Sequence, residues 1–219
     1  MKHFFSITFL SITLFSCNQE IERVNYDLLK DRGTFDEPLM YFEDNLFSGV
    51  SFILNSDSSI GYEYHWRDGK MNGFYTAWHE YPDKIKFKQN YTDNILDGLV
   101  QEWFESGQLL YEGTFKNGEG DGWHREYYEN GQLLDEEYWE KDKIEGVARK
   151  YYENGEWKTE KNYKDDKLDG LSKYWYENGQ LKQETHYVKG KREGLKKEAY
   201  ESGGKKSEIN YKNDKREGE

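Results

Sequence analysis

GWHREYYENGQLLDEEYWEKDKIE at residues 122–145 is followed at once by GVARKYYENGEWKTEKNYKDDKLD at residues 146–169. The two stretches agree in an opening glycine, a Tyr-Tyr pair, the triplet Glu-Asn-Gly, a later aromatic and a polar close. Reading outward, the opening glycine recurs as Gly49, Gly73, Gly98, Gly122, Gly146, Gly170, Gly194 and Gly218, at intervals of 24 residues with a single 25 between Gly73 and Gly98. A fixed period of this size marks one small supersecondary unit copied in a row, each copy contacting mainly its neighbours.

The columns of the repeat carry its local structure. Counted from the opening glycine, offset +6 holds Phe104, Tyr128, Tyr152, Tyr176 and Tyr200, offset +9 holds Gly107, Gly131, Gly155, Gly179 and Gly203, and offset +17 holds Phe115, Trp139, Tyr163, Tyr187 and Tyr211. Glu-Asn-Gly or Glu-Ser-Gly at +7 to +9 lies between two aromatic-rich runs. It reads as a hairpin loop whose third residue needs positive φ and is therefore glycine. A second turn is expected at +18 to +20, as in Lys116-Asn117-Gly118 and Lys164-Asp165-Asp166. One repeat is thus two strands and two turns.

With three-residue loops at both turns, odd offsets share one face of the sheet and even offsets the other. The odd face then collects Leu99, Trp103, Leu109 and Phe115, or Leu171, Trp175, Leu181 and Tyr187, and is expected to be buried. The even face carries Glu112, Glu136, Glu160, Glu184 and Glu208 at +14 beside the +6 aromatics. On this reading Phe104, Tyr128, Tyr152, Tyr176 and Tyr200 form an exposed stripe and are the candidate binding residues.

The expected fold is all-β: an elongated antiparallel meander of 24-residue hairpins, about fourteen strands in an open twisted sheet roughly 65–70 Å long. Residues 49–219 form the array, with Ile209 to Lys212 as an edge strand guarded by Lys212, Lys215 and Arg216. Residues 24–48 are read as a degenerate capping unit, because Phe42-Glu43-Asp44-Asn45-Leu46-Phe47-Ser48-Gly49 echoes Tyr91 to Gly98. The chain is 35% hydrophobic and 34% charged, too little aliphatic material for a large core, while 17% aromatic residues supply cross-strand burial.

The first residues follow another logic. Lys2 precedes an apolar stretch from Phe4 to Phe15, too short to span a bilayer and of signal-peptide proportions. Leu14-Phe15-Ser16-Cys17 resembles the bacterial lipobox. That resemblance implies a signal peptide over 1–16, lipidation of Cys17, a polar tether over 17–23 and a membrane association made by the lipid alone. Cys17 is the one cysteine, so the chain has no internal disulfide and no multi-cysteine metal site. Removal of residues 1–16 leaves 30 basic and 43 acidic residues, a net charge of −13, which argues against nucleic acid and against adhesion to anionic headgroups. The charge is uneven: residues 18–169 carry −16 and residues 170–219 carry +3.

No catalytic constellation emerges. His3, His65, His79, His124 and His186 are dispersed without metal-ligand spacing. The +14 glutamates recur two strands apart, roughly 10 Å, too far to share a proton or one metal ion. A non-enzymatic protein without cofactor is expected.

The phrases Tyr-Tyr-Glu-Asn-Gly-Gln-Leu at 127–133 and Tyr-Lys-Asn-Asp-Lys-x-x-Gly at 211–218 resemble the MORN-variant repeat of bacteria over about residues 42–219. The resemblance implies binding to another protein, and its lipoprotein form resembles envelope proteins of Bacteroidota. Three function classes stay open: a lipid-anchored scaffold for a protein partner in the cell envelope, an antitoxin or immunity protein directed at one toxin, and a glycan-binding module whose rings stack on sugars.

Overall fold

The computed structural model describes residues 21–34, 38–80 and 84–217. Cys17, with the whole of 1–20, lies outside the described residues. The repeats build one antiparallel meander from Gly49–Leu54 through Ile60–Arg67, Lys70–Trp78 and onward to Lys205–Lys212, each strand bonded to the next in sequence. The sheet has 18 strands, of which fourteen are the long strands of the repeats. It is open, with Arg23–Asn25 added in parallel beside Gly49–Leu54 at one end.

The first turn forms as its glycine requires. Phe104 N donates to Gln108 O and Gly107 N donates to Phe104 O, both at 2.9 Å, with Gly107 at φ 92°. The same bonds recur at Tyr128, Tyr152, Tyr176 and Tyr200. The second turn is one residue shorter than expected. Lys116 pairs with Glu119, and Asn117 and Gly118 between them take φ 52° and 86°, the two positive angles of a type I′ hairpin. Asp165 and Asp166 do the same at 47° and 62°.

A bulge overturns the expected face assignment. Trp103 pairs with Leu109, yet Glu102 pairs with Tyr111, so Leu110 is an extra residue on its strand. The shift recurs at offset +12 in each later repeat, as between Tyr127↔Leu133 and Glu126↔Asp135, and between Trp175↔Leu181 and Tyr174↔Gln183. One inserted residue exchanges the faces of everything beyond it. Offsets +13 to +17 therefore lie opposite to where strict alternation puts them, and Glu112 shares a face with Trp103, while Phe115 does not.

The ring face collects offsets +2, +4, +13, +15 and +17. Its +17 rings cover small side chains at +2 and +15, so Ser51, Val100, Ala148, Ser172 and Thr185 are buried. Trp66 Nε1 donates to Ser51 Oγ at 2.7 Å. The residues before Gly49 pack on this face at its first repeat: Val24, Met40 and Phe47 form a cluster with Trp66, and Tyr26, Phe42 and Tyr64 close around it. Tyr64 and Tyr75 stack with centroids 4.5 Å apart, which carries the packing into the next repeat.

Candidate interaction face

The opposite face, here the ladder face, is built from offsets +1, +3, +5, +11, +14 and +16. Its centre is one row of side chains in direct register across the sheet. Glu112 pairs with Arg125, Arg125 with Glu136, Glu136 with Arg149, Arg149 with Glu160, Glu160 with Lys173, Lys173 with Glu184, Glu184 with Lys197 and Lys197 with Glu208. Charge thus alternates strand by strand from Glu112 onward, because each repeat from Gly122 places a cation at +3 and a glutamate at +14, while the repeat at Gly98 has Gln101 at +3. Opposite charges directly across an antiparallel pair stabilise it, and like charges there do the reverse.

The row is tightest where the cation is arginine. Arg149 Nη1 lies 3.1 Å from Glu136 Oε1 and its Nε 3.1 Å from Glu160 Oε2, so one guanidinium bridges two repeats. Arg125 spans Glu112 at 3.5 Å and Glu136 at 3.6 Å. A planar fork with several donors reaches both neighbours, which a lysine ammonium does less well. Lys197 approaches Glu184 only to 3.9 Å. Tyrosines at +5 complete the carboxylate shells: Tyr127 Oη donates to Glu112 at 3.0 Å and Tyr151 Oη to Glu136 at 3.1 Å. Burial and the Glu136 charge push the Tyr151 hydroxyl up to about 12, so it stays a donor at neutral pH.

Apolar rows flank the charges. At +5 and +11, Tyr151 meets Trp157 and Trp157 meets Trp175 edge to face, with centroids 6.3 and 5.4 Å apart. At +1 and +16, Trp123 meets Tyr138 at 5.5 Å. These rows are substantially open to solvent. Within the described strands from Gly49 to Ala199, the large apolar side chains more than a third exposed on this face are Leu54, Phe74, Ile95, Leu99, Trp123, Tyr138, Trp157, Leu171, Leu181, Val188 and Leu195. On the ring face the same criterion finds only Tyr62.

The aromatic stripe expected at +6 has a different place. Phe104, Tyr128, Tyr152 and Tyr176 are half-buried at the hairpin edge, and only Tyr200, at 55% exposure, stands open. The hydroxyls reach the next repeat: Tyr128 Oη donates to Tyr151 O, Tyr152 Oη to Trp175 O and Tyr176 Oη to Ala199 O, at 2.9, 2.9 and 3.1 Å. Asn130, Asn154 and Asn178 side chains donate likewise to Glu153, Glu177 and Glu201 carbonyls. This column is a seam between repeats and does not share a face with the +14 glutamates.

The other edge is sewn by aspartate. Asp166 N donates to Ile144 O while its carboxylate accepts from Ile144 N at 2.8 Å, and Asp142 repeats this on Gly120. The ring face carries a perturbed imidazole and a perturbed carboxyl. His124 accepts from or donates to Tyr111 Oη at 2.8 Å, and burial holds its imidazole below the usual range. Burial, then the neighbouring Asp135, pushes the Glu137 carboxyl up. Among the described residues no group of three or more His, Cys, Asp or Glu gathers to hold a metal ion, and no helix is long and apolar enough to cross a membrane.

The +3 cations were the missed element, since their partnership with the +14 glutamates is visible only once the bulge is counted. Five consecutive segments match the MORN repeat variant, at residues 96–117, 121–141, 144–165, 168–189 and 192–213. The curated proteins contain no match to the chain. The gaps between segments fall at the type I′ turns. The array extends upstream of the matches: Gly49 pairs with Trp66 and Phe52 with Glu63, the same +17 and +14 relations, with Gly61 as the bulge.

Proposed function

We propose, taking residues 96–213 as five MORN-variant repeats of a repeat scaffold, that the protein is a non-enzymatic, lipid-anchored scaffold of the bacterial cell envelope that binds a protein partner. The observation that carries the binding is the segregation of exposed apolar side chains onto the ladder face. Together these eleven side chains expose on the order of 800 Å², comparable to what one partner contributes to a stable interface of standard size. Apolar side chains segregated to one face in this way mark it as an interaction surface.

A protein surface suits this face better than a glycan. Sugar stacking wants a ring lying flat and open, whereas Trp157 and Trp175 meet at 74° and Tyr151 and Trp157 at 70°, so neighbouring rings present edges by turns. The anchor is the lipobox-like Leu14-Phe15-Ser16-Cys17, with Cys17 lipidated and residues 17–23 as tether.

Two measurements test the reading. Affinity capture from envelope extract compares wild type with Trp157→Ser and Leu171→Ser together. Loss of the captured protein with an unchanged circular dichroism spectrum is expected, and equal capture by both forms removes the ladder face from the proposal. Cell fractionation of Cys17→Ser is expected to release the protein from membranes, and salt-resistant retention would rule out Cys17 as the anchor.

A further inference from the structure

We propose that the partner on the ladder face is a second copy of this chain, docked face to face about a two-fold axis that runs parallel to the strands and passes midway between Arg149 and Glu160. This rests on the reading of the ladder face as a docking surface. The argument begins with the parity of the charge row. Nine charges alternate from Glu112 to Glu208, one per strand. An axis placed over any strand sets like charge on like charge. An axis placed between two strands sets every charge on its opposite.

Midway between Arg149 and Glu160 the match is complete. Arg149 faces the partner's Glu160, Glu136 faces the partner's Lys173, Arg125 faces the partner's Glu184 and Glu112 faces the partner's Lys197. Glu208, the ninth charge, falls opposite the partner's Gln101, which precedes Glu112 in the same register. The same operation brings each apolar row onto itself. Tyr151 then meets the partner's Trp157, Leu133 the partner's Trp175 and Tyr127 the partner's Leu181, so that apolar side chains cover one another.

The two rows do different things. Sandwiched ion pairs lose hydration, so they set register and orientation more than they add affinity. The apolar rows supply the affinity through the area they remove from water. The acidic excess of the chain does not oppose the docking, because five glutamates and four cations leave the row at −1, so that −11 of the −12 of the whole chain lies elsewhere. Two sheets of right-handed twist pack in this aligned manner.

The test exploits a pair that does not touch within one chain. Glu136 has Arg125 and Arg149 as its own neighbours, and Lys173 has Glu160 and Glu184. In sedimentation of the full chain over a hundredfold concentration range, wild type is expected to be dimeric. Glu136→Lys and Lys173→Glu are each expected to weaken the dimer at least tenfold, and an equimolar mixture to recover it, since the mixed dimer restores both cross-chain contacts. Should either variant fail to fold by circular dichroism, Glu112→Lys mixed with Lys197→Glu poses the same question at the rim of the interface. A monomeric wild type, or a mixture no tighter than its components, overturns the second copy as occupant. If capture of another protein is still lost in the Trp157→Ser and Leu171→Ser variant, the docking face stands and its partner is a different chain.

Discussion

Arg149 Nη1 lies 3.1 Å from Glu136 Oε1, although the two residues belong to different repeats. The contact exists because a strand of one unit is hydrogen-bonded to the first strand of the next, with Glu136 and Arg149 as direct register partners. A 24-residue unit pairs its own +3 and +14 charges, as Arg149 with Glu160, and each of the two finds its second partner in a neighbouring unit. It stabilises its neighbour with a cation on one side and receives one on the other.

Replacing Arg149 by Ala should therefore cost more than loss of one surface pair. The guanidinium is 29% exposed and serves two carboxylates, so about 1–2 kcal/mol is expected, with Arg149→Lys losing roughly half of that. Urea unfolding of both variants measures it. A lysine variant as stable as wild type would mean that the bridging geometry of the fork contributes nothing.

The tyrosine seam makes a sharper comparison. Tyr152→Phe keeps the ring and deletes only the bond to Trp175 O, with an expected loss of about 1 kcal/mol. Tyr200→Phe is the control, since Tyr200 is exposed and its hydroxyl makes no such bond among the described residues. Thermal melts should separate the two. Equal melting temperatures would show that the inter-repeat hydroxyl bonds are energetically silent.

Protonation of His124 is unfavourable in the fold, because burial lowers its pKa below the ordinary value of 6.5, with the Thr114 carbonyl and Asp142 opposing. The unfolded chain accordingly takes the proton first as the pH falls. Stability from the neutral imidazole is complete above pH 6.5 and declines as the pH drops through that value toward the folded pKa. Between pH 7.5 and 5, wild type should lose more melting temperature than His124→Gln, in which this group is absent. Parallel losses in the two proteins would exclude His124 as a source of the acid sensitivity.

Much of this was legible in the sequence, and what was not has a physical cause. The period, the first turn and the meander follow from Gly107, Gly131 and their equivalents, because positive φ at the third loop position admits few other residues. The second turn carries its own signal in Asn117-Gly118, yet the adjoining Lys116 is indistinguishable by type from a loop residue. Gly61 marks the bulge in the first repeat, but from Gly98 onward the bulge has no signature. Leu110, Leu134, Lys158, Lys182 and Lys206 occupy it, and nothing in leucine or lysine prescribes the extra residue. Since one residue exchanges faces, the same columns that spelled out the repeat concealed which of them lie together. The tyrosines at +6 were misplaced for the related reason that they leave the strand at the hairpin, where alternation no longer sorts side chains.

The ladder also decides which deletions the array tolerates. Removing residues 146–169 joins Glu145 to Gly170 and makes Lys173 the new register partner of Glu136, so charge still alternates and Tyr128 Oη finds Trp175 O where Tyr151 O had been. The shortened chain should fold, with a melting temperature within a few degrees of wild type, as expected when stability is a sum of repeat and neighbour terms. Removing residues 146–157 takes out the single strand Gly146–Tyr151 with its Arg149. Glu136 and Glu160 then fall on neighbouring strands, and the direction of every later strand is reversed. That chain should lose the cooperative transition, or most of its β spectrum, in circular dichroism. Equal damage from the two deletions would mean that the sheet folds as one indivisible unit, and that the repeat is a feature of the sequence without being a unit of its stability.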